Sequence, residues 1–204
     1  MQLTIPIQAP IRGLKFVCLL VGTFLSAVGC GEESPRAEPR AEPRTADVVY
    51  VATPHDVVAK MLEVAQVTKK DLLYDLGCGD GRVVATAARA TGCRGCGFDI
   101  SPERVAESRE TVRKCGVEDR VTIQEQDIFE LDLSPATVIT LYLLPRLNVR
   151  LIPQLEQLRP GSRIVSHDFD MSGVEPERVL RMVSREDGVE HKIYLWKTPL
   201  KQAE

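Results

Sequence analysis

Seven residues constrain this chain more than any others: Asp75-Leu76-Gly77-Cys78-Gly79-Asp80-Gly81. An apolar segment, Leu72-Leu73-Tyr74-Asp75-Leu76, leads into them and predicts a short buried strand. The alanine-rich segment from Arg82 to Ala90 leads out and predicts a helix. Glycine at every second position removes the Cβ atoms that would keep a ligand away from the backbone. A turn of that kind, between a buried strand and a helix, belongs at the carboxyl end of a sheet, where open α/β folds bind their ligands.

The rest of the chain supplies such a sheet. Thr53-Pro54-His55-Asp56 predicts a helix start, with Thr53 as cap, Pro54 in the first turn and Asp56 at the positive end. Val57, Val58, Met61, Leu62 and Ala65 continue it at helical spacing. Cys93 to Ile100 predicts a second strand ending in Asp99. Ser101 caps the next helix, Pro102 opens it and Gly116 closes it. Arg120 to Gln124 predicts a third strand, followed by Asp127, and Thr137 to Leu143 a fourth. Leu147, Leu151, Leu155 and Leu158 form a helical stripe, which Pro153 should kink or interrupt and Arg159-Pro160-Gly161 should end. Ser162 to His167 predicts a fifth strand. Arg178 to Val183 and Glu190 to Lys197 predict an antiparallel hairpin across Asp187-Gly188. Strands that are apolar on both faces and alternate with helices indicate a doubly wound, mostly parallel α/β sheet.

The chemistry of the turn narrows its ligand. The spacing is GxGxG, not the GxGxxG of nicotinamide binding. Asp75 stands inside the strand before the first glycine. A carboxylate there repels a pyrophosphate and attracts a cation, such as the ammonium or sulfonium of S-adenosylmethionine. Asp99 is placed to accept from two ribose hydroxyls, and Asp127 from an adenine amino group.

Asp75 to Gly81, Asp99, Asp127 and the junction at Arg159-Pro160-Gly161 together resemble the class I, Rossmann-like S-adenosylmethionine-dependent methyltransferases. The resemblance runs from Val49 to about Thr198. It implies a seven-stranded sheet of order 3-2-1-4-5-7-6 with a C-terminal antiparallel hairpin, and S-adenosylmethionine as cofactor. It also implies cofactor contacts from Asp75, Gly77, Cys78, Gly79 and Gly81, and from Asp99 with Ile100 and Asp127 with Ile128. A narrower similarity joins Tyr50-Val51-Ala52-Thr53-Pro54 and Asp75 to Arg82 to small membrane-anchored protein-lysine methyltransferases. Those modify the c-ring protein of ATP synthase or the adenine nucleotide translocator. Here Ala52 stands where that pattern carries proline.

After the fourth strand, Thr140-Leu141-Tyr142-Leu143-Leu144-Pro145 replaces the Asn-Pro-Pro-Tyr type, which argues against methylation of adenine or glutamine amides. Tyr142, Asn148 and Tyr50 are the candidates for lining the acceptor channel. His167-Asp168 follows the fifth strand and either acts as a base or closes a turn. His55 and His191 are expected at the surface, and Trp196 in packing on the last strand. Cys93-Arg94-Gly95-Cys96 lacks a second ligand pair, so it reads as packed small residues and no metal site is expected.

The 204 residues suit one domain plus an appendage. A net charge of -3 and 5% aromatic residues disfavour a nucleic-acid partner. Arg12 and Lys15 precede an uncharged apolar run from Phe16 to Gly29, which suits a signal peptide or short anchor. Small residues before Cys30 resemble a lipoprotein processing site, with Ala27 departing from the usual leucine. Residues 31–47 repeat Ala-Glu-Pro-Arg and read as a semi-extended linker, leaving 48–204 as the methyltransferase domain. Two readings stay open. One is a methyltransferase acting on a protein lysine or a small molecule, membrane-associated through its N-terminus, with the cytosolic face favoured by cofactor supply. The other is an exported lipoprotein whose domain binds a ligand or partner without catalysis.

Overall fold

The computed structural model describes residues 51–203. The N-terminal segment 1–30, the linker 31–47, Cys30 and Tyr50 lie outside the described residues. Seven strands form one sheet: β1 (Leu72–Leu76), β2 (Arg94–Asp99), β3 (Val121–Glu125), β4 (Val138–Leu141), β5 (Arg163–His167), β6 (Arg178–Val183) and β7 (Glu190–Lys197). Their order is β3-β2-β1-β4-β5-β7-β6, as the resemblance implies. The first five run parallel, and β7 lies antiparallel between β5 and β6.

The sheet is covered unequally. On one face α1 (His55–Val64), α2 (Arg82–Thr91) and α3 (Pro102–Cys115) bury Val57, Met61, Val84, Ala87 and Val105 against Leu73, Val138 and Val165. On the other, α4 (Pro145–Leu155) buries Leu147, Leu151 and Leu155 against Leu76, Ile139, Ile164 and Trp196. Leu133, Met171 and Val174, from irregular segments, fill the rest of that face. Trp196 packs there as expected, 1% exposed, with its indole N–H donating to the Val174 carbonyl.

Two local expectations change. Pro153 does not break α4, which runs on to Leu155. The ring removes only the hydrogen bond to the Val149 carbonyl; both residues face solvent and the helix ends two positions later. Thr53 does not cap α1, whose boundary residue is Pro54. Its hydroxyl lies 3.1 Å from His167 Nδ1 instead. Asp56 stands in the first turn of α1 as expected, and its carboxylate also reaches the hairpin, accepting from Ser184 Oγ and the Arg185 N–H. Ser101 does cap α3, accepting from the Arg104 N–H, and Gly116 closes it. Cys93 is buried in the core, Cys96 is half-buried, and both are free thiols.

Candidate active site

A cavity of about 760 Å³ opens at the carboxyl ends of β1, β2 and β4. Asp75, Gly77, Cys78, Asp99, Ile100, Asp127, Ile128 and Tyr142 all line it. Gly79 and Gly81, also expected to touch the cofactor, are not among the lining residues.

The glycine turn is locked from outside. Gly81 has φ +77°, and a Cβ there would stand 2.8 Å from Ser108 Oγ and 3.0 Å from Ser108 Cα. The close approach brings the Ser108 hydroxyl to the Gly79 carbonyl, to which it donates at 2.8 Å. Gly77, at φ +75°, holds the turn against Leu143. Burial raises the pKa of the Cys78 thiol, so it meets the cavity as a neutral packing group. Asp80 forms a forked ion pair with Arg82, whose Nη1 donates to the Thr53 carbonyl. That pair ties the segment before α1 to the turn.

Asp75 is the least ordinary group. Its Oδ1 accepts from Thr140 Oγ1 at 2.6 Å. Its Oδ2 is buried with no hydrogen-bond partner among the described residues. Burial, with Asp80 and Asp99 nearby, pushes its pKa up to about 7 against the opposing Thr140 bond. An orphan buried acceptor is costly unless something satisfies it. A cationic donor on the cavity side would satisfy it and restore the charged form; a phosphate would not.

Asp99 stands at the end of β2 with its carboxylate plane fixed. The Gly79 N–H donates to Oδ2 at 3.0 Å and the Ser101 N–H to Oδ1 at 2.9 Å. Each oxygen keeps a lone pair for a further donor. Asp127 caps a short 3-10 turn, Ile128–Glu130, by accepting from the Phe129 N–H at 2.9 Å. The Arg150 guanidinium sits 3.7 Å from the Phe129 ring centroid, and both line the cavity. Sequence reasoning missed this pair, as it missed Thr140 and Ser108.

On the β4 side, the Tyr142 ring lies 4.0 Å from that of His167 and stacks on Phe169 at 5.9 Å, centroid to centroid. Asn148 does not line the cavity, which corrects its expected place in the acceptor channel. It is buried, and its amide donates to the Asp170 carbonyl at 3.0 Å, fixing the segment after β5. His191 is also corrected: it is 6% exposed, because β7 alternates and puts His191 in phase with Ile193 and Leu195. His167 is fully buried. Asp168 closes the turn at φ +57°, accepting from the Lys192 N–H. His55 is exposed as expected.

Comparison with known proteins agrees on methyl transfer. A family model described as the ANTKMT methyltransferase domain matches residues 75–178. A protein-lysine N-methyltransferase of Saccharolobus islandicus is 44% identical over 152 residues, covering 73% of this chain and 92% of the relative. An ATP synthase C-subunit lysine N-methyltransferase of Caenorhabditis elegans is 30% identical over 103 residues, covering 50% of this chain and 54% of the relative. A solved structure described as an RNA methyltransferase from Salinibacter ruber in complex with S-adenosyl-L-homocysteine is 47% identical. It has a TM-score of 0.68 and covers 76% of this chain and 97% of its own.

Proposed function

The chain belongs to the class I S-adenosylmethionine-dependent methyltransferases, in the family of the ANTKMT methyltransferase domain, and we propose that its methyl acceptor is the ε-amino group of a protein lysine. The enzyme is a methyltransferase and S-adenosylmethionine is its cofactor. When bound, that cofactor supplies an activated methyl group on a positively charged sulfur. In our reading the residues divide the work of holding it. Asp75 Oδ2 takes a cationic donor, the fixed Asp99 carboxylate takes ribose hydroxyls, and Asp127 takes the adenine amino group. Ile100 and Ile128 flank the flat base.

The observation that carries the lysine reading is the wall at the end of β4. Leu141, Tyr142, Leu143 and Leu147 line the cavity there. Such a wall desolvates an ammonium, favours the neutral amine needed for attack, and suits an aliphatic arm. Names of relatives support the same reading, from the Saccharolobus enzyme to the Caenorhabditis one. The Salinibacter structure favours RNA as a second reading. A net charge of -3 weighs against it, because binding phosphates draws on clustered positive charge.

The test is transfer of labelled methyl from S-adenosylmethionine into a membrane extract, with its protein and RNA followed separately. Methyllysine in acid hydrolysates of the protein is the expected result. Label confined to RNA removes the reading.

We further propose that the enzyme is tethered to a membrane through Phe16 to Gly29, with the domain on the cytosolic side. The supports are that uncharged run, the Ala-Glu-Pro-Arg linker and the cytosolic supply of the cofactor. Among the described residues no helix is long and apolar enough to cross a membrane. Protease should spare the domain in intact cells and digest it after lysis; digestion in intact cells would place it outside and favour lipidation at Cys30.

A further inference from the structure

A line of hydrogen-bonding groups leaves the cavity through its wall and ends at the surface. Thr53 lines the cavity, and its Oγ1 lies 3.1 Å from His167 Nδ1. His167 Nε2 lies 2.9 Å from His191 Nδ1, and His191 Nε2 lies 3.1 Å from Asp187 Oδ2. Asp168 Oδ2 flanks the middle, 3.0 Å from His191 Nδ1 and 3.3 Å from His167 Nε2. Asp187 is exposed, whereas both histidines are buried. Four separate parts of the chain meet here: the segment before α1, the end of β5, the start of β7 and the hairpin turn. Cofactor binding uses none of these groups, and among them only His167 meets the wall at β4, where the Tyr142 ring packs on it.

We propose that Thr53, His167 and His191 accept the proton that the acceptor lysine must lose before attack, and hold it between the carboxylates of Asp168 and Asp187. This rests on the lysine reading above. The starting state has both imidazoles neutral. His191 donates its Nε2–H to Asp187, and His167 carries its proton on Nε2 and accepts the Thr53 hydroxyl at Nδ1. The ammonium gives one proton to the Thr53 oxygen as that hydroxyl gives its own to His167 Nδ1. His167 Nε2 passes its proton to His191 Nδ1. One proton has left the amine, one imidazolium has formed, and no electrons have moved. Once the product has left the hops run back, His191 Nδ1 to His167 Nε2 and His167 Nδ1 to the Thr53 oxygen, which gives its other proton to water entering the cavity and restores both starting tautomers.

The surroundings favour this direction of flow. Burial disfavours a charge on His167 and lowers its pKa to about 4, so it passes a proton on and does not keep it. Burial also opposes the cation at His191, but the bonds to Asp168 and Asp187 outweigh it and raise its pKa. Two further titratable groups meet the line: Arg82, whose guanidinium donates to the Thr53 carbonyl, and Tyr142 just after β4, whose ring lies 4.0 Å from that of His167 and whose hydroxyl stays neutral as burial raises its pKa. A histidine that received the proton without the two aspartates would have no such bias.

The experiment follows single-turnover methyl transfer to poly-L-lysine by the full-length enzyme against pH. Wild type should show a rate that rises with pH through one ionisation. His191→Gln should lose that ionisation and run about 10²-fold slower near neutrality. Its affinity for S-adenosylmethionine, by calorimetry, should be unchanged, since His191 does not touch the cavity. Replacing poly-L-lysine by poly(S-aminoethylcysteine), whose amines are less basic, should recover the variant more than the wild type. If His191→Gln does not fold, Thr53 decides: Thr53→Ser keeps the hydroxyl and should keep the pH profile, while Thr53→Val should lose it. A His191→Gln enzyme with the wild-type rate and profile overturns the relay. So does equal loss in both Thr53 variants. Stoichiometric zinc at His167, Asp168 and His191, or loss of rate with a chelator, also overturns it, because a metal would occupy the lone pairs the proton uses. Wild-type enzyme that forms no methyllysine on poly-L-lysine or on extract protein removes the lysine reading itself, a different result from any of these.

Discussion

Thr140 is the in-register neighbour of Asp75 across the β1–β4 ladder, and its hydroxyl donates to Asp75 Oδ1 at 2.6 Å. A strand partner, not a loop, therefore holds the buried carboxyl at the head of the glycine turn. The bond favours the charged form, while burial disfavours it more strongly.

The first prediction concerns pH. The folded, ligand-free carboxyl keeps its proton to about pH 7, whereas an ordinary aspartate releases it near 3.8. Between those values the folded state binds more protons than the unfolded state, so Asp75 makes stability fall as pH rises across that window. Asp75→Asn should flatten this part of a Tm-against-pH curve and lower affinity for S-adenosylmethionine. An Asn variant with the wild-type slope would show that another group sets it.

Asp99 tests the opposite wall. Two backbone N–H groups fix its carboxylate, so it meets ribose hydroxyls without reorganising. Asp99→Ala should weaken S-adenosylmethionine binding by roughly 10- to 100-fold, the scale of losing hydrogen bonds to a charged group. Isothermal calorimetry reads this directly, and unchanged affinity would remove the assignment.

Gly81 carries a stability prediction. Alanine there would have to adopt the left-handed region, costing about 1–2 kcal/mol, and would also press on Ser108. Gly81→Ala should lower the urea midpoint accordingly. A Gly81→Ala chain with the wild-type midpoint would show that the turn is not held against Ser108.

The strand order, the hairpin and the three cavity acids are legible in the sequence because each rests on local signals. Parallel strands read as continuous apolar runs, and Asp75, Asp99 and Asp127 each sit at or just beyond a strand end facing one cavity. Asn148 is misplaced when judged by its nearness to Tyr142, although its position beside Leu147 in a leucine stripe already points inward. His191 is misplaced too, and its phase with Ile193 and Leu195 carries the needed signal. The Thr53–His167 contact spans 114 residues and depends on which side of α1's first turn meets β5. No local pattern encodes that, and the helix-cap chemistry of threonine points elsewhere. The cation–π pair of Phe129 and Arg150 is hidden for the same reason: it joins a 3-10 turn to α4.

The last prediction separates ring from hydroxyl at Tyr142. Its ring is packed between His167 and Phe169, and the Asn148 amide holds the backbone just after Phe169. The ring therefore serves as a rigid, water-excluding wall on the acceptor side, and a displaced wall misplaces the amine relative to the methyl donor. Orientation of that kind is worth orders of magnitude in rate. Tyr142→Phe keeps the ring and should retain most of the kcat/KM for the acceptor. Tyr142→Ala opens the wall and should reduce it by about 10²-fold, with S-adenosylmethionine affinity changed little. Asn148→Ala frees the Asp170 carbonyl and should raise KM for the acceptor more than it lowers kcat. Equal losses in Tyr142→Phe and Tyr142→Ala would move the role from the ring to the phenol oxygen and make the hydroxyl a direct partner of the amine.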